Sequence, residues 1–434
     1  MTGMTLVQSR HRPAARGITG LSEAVVDLSA VRDNVRNFRK RVPQQVLAVV
    51  KADAFGHGAV PVARAAVEAG ATWLGVAHAD EALQLRAAGL TVPILTWLYD
   101  AGELVLLGDL DVDVSVSTVA ELHHVVSTPS VHSVHLKLDT GLHRAGSAPD
   151  QWIELTRTAA HYEALGAVTV RGIWSHLSHG DSADAVQSRR QLQLLRTGVG
   201  LARRAGLRPG VVHLANSAGA ITLGAPDTNL VRIGAGLYGI DELGIGLRPA
   251  MRLLSKLTQV RRIRAGEGVS YGHDFVADRD TTIGLVPIGY ADGVPRAAVR
   301  QASVLCRGVR MPVIGQIAMD QFVVDAGDLA VEPGEPVTIF GDGSSGEPTV
   351  AEWAAWAETI PHDIYCGIGS RVRRTYEAVS DGPTPSRAGA RCGGSACGSE
   401  GLDAEHRGLC SRAARCRAEC RAVGGEAPDT TYTT

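Results

Sequence analysis

From Gln45 onward the chain alternates between two textures: short apolar, β-branched runs bounded by turn formers, and longer stretches with apolar positions three and four apart. The first kind reads as strands buried on both faces and the second as amphipathic helices. Strands are predicted at Val46–Val50, Trp73–Ala77, Pro93–Leu98, Val112–Val116, Val134–Leu138, Val170–Leu177, Val211–Ala215 and Leu230–Ala235. Helical periodicity fills Asp80–Ala88, Thr118–Val126, Trp152–Leu165 and Ser182–Ala205, and a helix running from Val60 through Val67 is stopped by Gly70. Eight strands alternating with helices predict a (β/α)8 barrel. A doubly wound open sheet is the alternative, but it usually has fewer strands, and no GxGxxG turn follows the first one.

The pattern differs at either end. A strand at Ala24–Leu28 and a helix from Ala30 towards Arg39, with Ser29 as its N-cap, precede the eight. From about Met251 the segments alternate in polarity and are punctuated by turns: Leu257–Ile263, Thr282–Val286, Ser303–Cys306, Val313–Ile317, Phe322–Asp325 and Val337–Phe340. This predicts a mostly β second domain, with one helix opened by the capping box Thr349-Val350-Ala351-Glu352. The expected division is a loose amino terminus (1–20), the barrel (21–250), the β-rich domain (251–380) and a tail (381–434).

Composition sharpens the last boundary. The tail is rich in Gly, Ala, Arg, Ser and Cys, and its one aromatic is Tyr432, so disorder is expected. Its cysteines, spaced C-x4-C and then C-x5-C-x3-C, match no tight metal knuckle, and no metal is expected. Earlier in the chain the cysteines are Cys306 and Cys366, as in a reduced cytosolic protein. With 43 Lys+Arg against 45 Asp+Glu, no global field points to nucleic acid or a membrane surface. No apolar run approaches the roughly 18 residues of a membrane span, so a cytoplasmic protein is the expectation.

The carboxyl ends of barrel strands share one mouth, where such folds place catalytic groups. Residues predicted there are Lys51, His78, Asp139, Arg144, His176, Asn216, Ser217, Arg232 and Gly234. Asn216-Ser217-Ala218-Gly219 and Ile233-Gly234-Ala235-Gly236 follow strands seven and eight, where barrels commonly bind phosphate. An amine at one side and a phosphate site at another suggest pyridoxal phosphate held by Lys51 as a Schiff base, with Arg232 facing the pyridine nitrogen. Taken singly the residues have plainer readings: Lys51 as a surface lysine, His176 as a packed histidine, Asn216 and Ser217 as helix caps.

The motifs AVVKADAFGHG (48–58), KLDTGLHRAG (137–146), HLANSAG (213–219), VRIGAGLYG (231–239), GVSYGHDF (268–275), IGYADG (288–293), IAMDQ (317–321) and SRVRRTY (370–376) occur in order. On these the chain, from about Glu23 to Tyr376, resembles the bacterial alanine racemases. The resemblance implies a cytoplasmic homodimer with shared active sites, which uses pyridoxal phosphate to interconvert L- and D-alanine for peptidoglycan. Lys51 would carry the cofactor and act as base on one face of the substrate, and Tyr271, delivered by the partner, would act on the other. Arg232 would bind the pyridine nitrogen, His176 would stack near the ring, and Arg144 would lie beside the phenolic oxygen. Ser217, Gly234 and Ala235, with Asn216 nearby, would bind phosphate. Met319, also from the partner, would meet the substrate carboxylate through its backbone N–H. Lys137 matches a lysine carbamylated in many members. Two positions depart from the family: Phe55 stands where a phosphate-binding tyrosine is usual, and Gly369 and Ser370 stand where another is common. Competing readings are a racemase for serine or a wider set of amino acids, and a non-catalytic carrier of pyridoxal phosphate, although carriers lack the β domain.

Overall fold

A computed structural model describes residues 18–180, 185–224 and 227–377. Eight parallel strands close a barrel: β2 (Gln45–Val49), β3 (Trp73–Val76), β4 (Ile94–Thr96), β5 (Val112–Val116), β6 (His132–Lys137), β7 (Val168–Trp174), β8 (Val211–His213) and β9 (Leu230–Ile233). Closure comes from β9 pairing with β2, Val231 opposite Val46 and Arg232 opposite Leu47. The runs are mainly apolar because both faces of most of these strands are covered. Leu47, Leu74, Leu95, Val114, Leu136 and Ile173 are all fully buried.

The strand preceding them, β1 (Ser22–Asp27), takes no part in the barrel. It lies between Met251–Lys256, to which it is antiparallel, and Arg373–Glu377, to which it is parallel. The expected start of the barrel domain at residue 21 thus places this strand with the barrel, whereas its hydrogen bonds join it to the second domain. That domain is a nine-stranded sheet in the order Gln259–Ile263, Thr281–Val286, Phe322–Gly327, Val309–Ile314, Ser303–Cys306, Pro336–Phe340, Met251–Lys256, β1, Arg373–Glu377. Met251–Lys256 and Arg373–Glu377 were not expected as strands.

Local chemistry moves other boundaries. The first helix, α1 (Leu28–Arg41), is capped by Asp27 and not by Ser29. The Asp27 carboxylate accepts from the N–H groups of Ser29 (2.8 Å) and Ala30 (3.2 Å), and from the Ser29 hydroxyl. A carboxylate suits the positive end of the helix better than a hydroxyl does. The helix expected from Ser182 begins at Val186, and Ser182 lies outside the described residues, as does the tail. The capping box at Thr349 forms as expected, with reciprocal bonds to Glu352.

Candidate active site

The segment after β2 sets the position of Lys51. Ala52, Asp53, Ala54 and Phe55 all adopt left-handed backbone conformations, with φ between 50° and 55°. Such conformations cost L-residues roughly 1–2 kcal/mol each, so the surroundings must over-determine the turn. They do so from every side. Ala54 N–H donates to Val50 O (2.9 Å), Gly58 N–H to Asp53 O (2.8 Å) and Ala59 N–H to Asp53 Oδ1 (2.7 Å). Arg374 Nε donates to Gly56 O at 3.0 Å, and Glu81 accepts from the N–H of Ala52. His57, fully buried, lies within 3.0 Å of Ala54 O and 2.9 Å of Phe55 O through Nδ1, which therefore carries its hydrogen. Burial, the largest influence on it, lowers its pKa from 6.5 to about 4.

The expected barrel residues converge on one cavity of about 650 Å³. Lys51, Lys137, Arg144, His176, Asn216, Ser217, Arg232, Gly234 and Ala235 line it, together with Trp97, Trp174 and Phe55. At one side the Ser217 hydroxyl accepts from the N–H groups of Gly234 and Gly236, both at 3.1 Å. The Ser217 oxygen is thus held by two backbone N–H groups, which leaves its own hydrogen to be donated, in a small-residue loop suited to an anion. Asn216 caps the helix Ser217–Thr222 by accepting from Gly219 N–H (2.9 Å), so its plainer reading holds alongside its place in the cavity wall.

The inner wall is cationic. Arg232, 4% exposed, donates to His176 Nδ1 (3.0 Å), His213 Nδ1 (3.1 Å) and Leu214 O (2.9 Å). Its guanidinium lies 4.9 Å from the centre of the Trp174 ring. Burial lowers the Arg232 pKa to about 9. It also lowers that of His176 to about 3, with the charge of Arg232 as the next cause, so the imidazole is neutral. Lys137 sits 4.3 Å from the same Trp174 ring, its pKa lowered to about 8 by burial and by Arg232 and Arg144.

Four expected residues lie elsewhere. His78 is exposed and stands outside the cavity wall. Asp139 closes a turn, its Oδ1 accepting from the N–H groups of Gly141, Leu142 and His143. Tyr271 and Met319 belong to the second domain and are 73% and 52% exposed, apart from the barrel cavity. Their segments meet, since Ser270 Oγ donates to Gln316 O at 3.1 Å. Sequence reasoning missed His362, which lines the cavity beside Phe55, ring centres 5.6 Å apart. Its Nδ1 is buried without a hydrogen-bond partner. A Pro-His pair opening a late helix gives little signal of this.

An amine, an anion cradle, a buried guanidinium and aromatic walls around one cavity can hold a planar, anionic group and move protons beside it. Among the described residues no helix is long and apolar enough to cross a membrane. Residues 26–242 match the family model "Alanine racemase, N-terminal domain", and 250–376 match "Alanine racemase, C-terminal domain". A Salinispora tropica protein named alanine racemase is 44% identical over 368 residues, covering 82% of this chain and 98% of its own. One from Streptomyces coelicolor is 45% identical over 376 residues, covering 82% and 95%. The solved alanine racemase of D-cycloserine-producing Streptomyces lavendulae superposes with a TM-score of 0.81 at 43% identity, covering 84% of this chain and 98% of its own.

Proposed function

The chain belongs to the alanine racemase family, and from that premise we propose that Lys51 and Tyr271 of the partner subunit divide the two proton transfers of racemisation between them. The activity is the interconversion of L- and D-alanine, which supplies D-alanine for peptidoglycan. The reading is carried by the convergence of the Lys51 amine, the loops at Ser217 and at Gly234–Ala235, and Arg232 on one cavity. Those groups fit pyridoxal phosphate: an amine for its aldehyde, converging donors for its phosphate and a guanidinium for its pyridine nitrogen. When bound, the cofactor would draw electron density from the substrate α-carbon and so make its hydrogen acidic.

The protein's own groups then have distinct tasks. Ser217, with the backbone of Gly234 and Ala235 and with Asn216 nearby, would hold the phosphate. Arg232 would donate towards the pyridine nitrogen, and because a guanidinium stays protonated it would bring no proton to that nitrogen, which suits an enzyme that moves only the α-proton. His176, neutral, would stack near the ring, and Arg144 would lie beside the cofactor's phenolic oxygen. Lys51 Nζ takes or returns a proton on one face of the α-carbon. The phenolic oxygen of Tyr271 of the partner subunit does so on the other, and Met319 of the partner subunit offers its backbone N–H to the carboxylate. A single fixed base serves two faces poorly, and a homodimer with shared sites solves this. Lys137, with a pKa near 8, offers a reactive neutral fraction for carbamylation, which would give Arg144 a negative neighbour. The enzyme acts in the cytoplasm.

Steady-state racemisation of alanine, serine and lysine, with α-hydrogen exchange in deuterated water, tests the reading. Alanine should be the best substrate, and its α-hydrogen should exchange. A better rate on serine would move the assignment to a broader racemase. Cofactor binding without exchange would make the protein a carrier.

A further inference from the structure

Behind Arg232 a file of buried polar side chains continues through the barrel interior, away from the cavity. Arg232 Nη1 meets His213 Nδ1 at 3.1 Å, and His213 Nε2 meets His135 Nδ1 at 2.9 Å. His135 Nε2 meets Asp113 Oδ2 at 3.0 Å, and Arg171 Nη1 meets Asp113 Oδ1 at 2.9 Å. Asp113, His135 and His213 are fully buried and stand on β5, β6 and β8. The sequence makes room for the file: a β-carbon on Gly172 of β7 would fall 2.4 Å from His135 Nδ1.

The direction of every bond follows from one fact. A guanidinium only donates, so His213 Nδ1 must accept. A neutral imidazole carries one hydrogen, so that of His213 is on Nε2 and points at His135. His135 Nδ1 must therefore accept, and its own hydrogen is on Nε2, pointing at Asp113. Were His135 doubly protonated, His213 would have to accept at both nitrogens and become an anion, which a buried site does not support. Asp113 accepts from both sides and has no position for a proton, so it is a carboxylate. The file reads Arg232 to His213 to His135 to Asp113, with Arg171 closing the far end.

We propose that Asp113, which does not line the cavity, is a positioning residue: it sets the tautomers of His135 and His213 and thereby aims and counterbalances Arg232. Replacing it by asparagine shows the logic. Arg171 claims the amide oxygen, so the amide N–H₂ turns to His135, whose Nε2 must then accept. The hydrogens of both histidines shift to Nδ1, and that of His213 confronts Arg232 donor against donor. The kinetic consequence rests on the reading of Arg232 as the partner of the pyridine nitrogen, but the tautomer order does not.

Neutron diffraction from deuterated crystals of the wild-type holoenzyme locates these hydrogens. Deuterium is expected on Nε2 of His135 and His213, with none on their Nδ1 atoms or on Asp113. Deuterium on His213 Nδ1, or on the carboxyl, overturns the proposal, whether or not the protein racemises alanine. In Asp113→Asn, deuterium should appear on His213 Nδ1. The turnover number for alanine should fall by roughly ten- to a hundred-fold, the scale seen when a ligand's outer partner is removed. KM should change by no more than about twofold, and the visible absorption of the bound cofactor should shift. A folded Asp113→Asn holoenzyme with unchanged turnover, spectrum and His213 tautomer overturns the proposal. If that variant does not fold, the wild-type hydrogens still decide.

Discussion

Around Lys51 almost every polar group of the backbone is engaged: carbonyls by His57, Arg374 and Tyr238, N–H groups by Asp53 and Glu81. Around Tyr271 little of the kind holds. Its ring is 73% exposed, on a short turn whose neighbours Ser270, Gly272 and His273 have positive φ. The lysine side is complete within one chain, and strain there is held by packing. The tyrosine side is uncovered, with Tyr271 projecting from its turn. The difference is between a lysine whose surroundings one chain completes and a tyrosine left projecting, which is what the proposed sharing of sites between two copies requires.

Subunit mixing is the most severe way to break this comparison. Lys51→Ala and Tyr271→Phe homodimers should each lose about 10³-fold or more in turnover, the scale of removing a proton-transfer group. Mixed dimers should regain activity at one of their two sites, because that site joins an intact Lys51 to an intact Tyr271 of the partner subunit. Failure to recover in verified heterodimers would remove the shared site.

A smaller effect probes the packed half. His57 has a folded pKa of about 4 against its ordinary 6.5, so between those values the unfolded chain binds more protons than the folded one. The stability it contributes is present above pH 6.5 and is lost as pH falls towards 4, on the order of 3 kcal/mol. Thermal unfolding of wild type should show that decline, and His57→Leu should flatten it. Parallel profiles for the two proteins would assign the acid sensitivity to other groups.

The smallest expected change sharpens the cofactor side. Phe55 Cζ, the atom that carries a hydroxyl in tyrosine, lies 3.6 Å from where a β-carbon on Gly234 would stand. Phe55→Tyr should therefore place a donor beside Gly234, in the loop proposed to hold phosphate, and tighten pyridoxal phosphate by about 0.5–1.5 kcal/mol. Equilibrium binding to apoenzyme measures this, and unchanged affinity would mean that the hydroxyl does not reach.

The barrel was legible because most of its strands are largely buried and read as mainly apolar runs ending at the mouth. Lys51, Ser217 and Arg232 could be placed by counting strands. Tyr271 and Met319 could not, since their segments are irregular and only resemblance singled them out. The file behind Arg232 was invisible for the opposite reason. Asp113 in VDVSV and His135 in HSVHLK interrupt their strands with polarity that ordinarily marks a solvent face, and only barrel closure turns it inward. The pairing of β1 was equally hidden, because a strand's own pattern does not name a neighbour far along the chain.

That pairing bears on how the protein is made. β1 emerges from the ribosome ahead of the barrel, yet its neighbours begin at Met251 and Arg373. The barrel strands can all be synthesised while this leading strand still offers two unpaired edges, a condition that invites contact with other chains. Completion of the second domain is therefore also the event that secures the start of the chain. Separating the barrel, with β1 attached, from the second domain would leave the first with an orphan strand and would part the edge strand Arg373–Glu377 from Met251–Lys256.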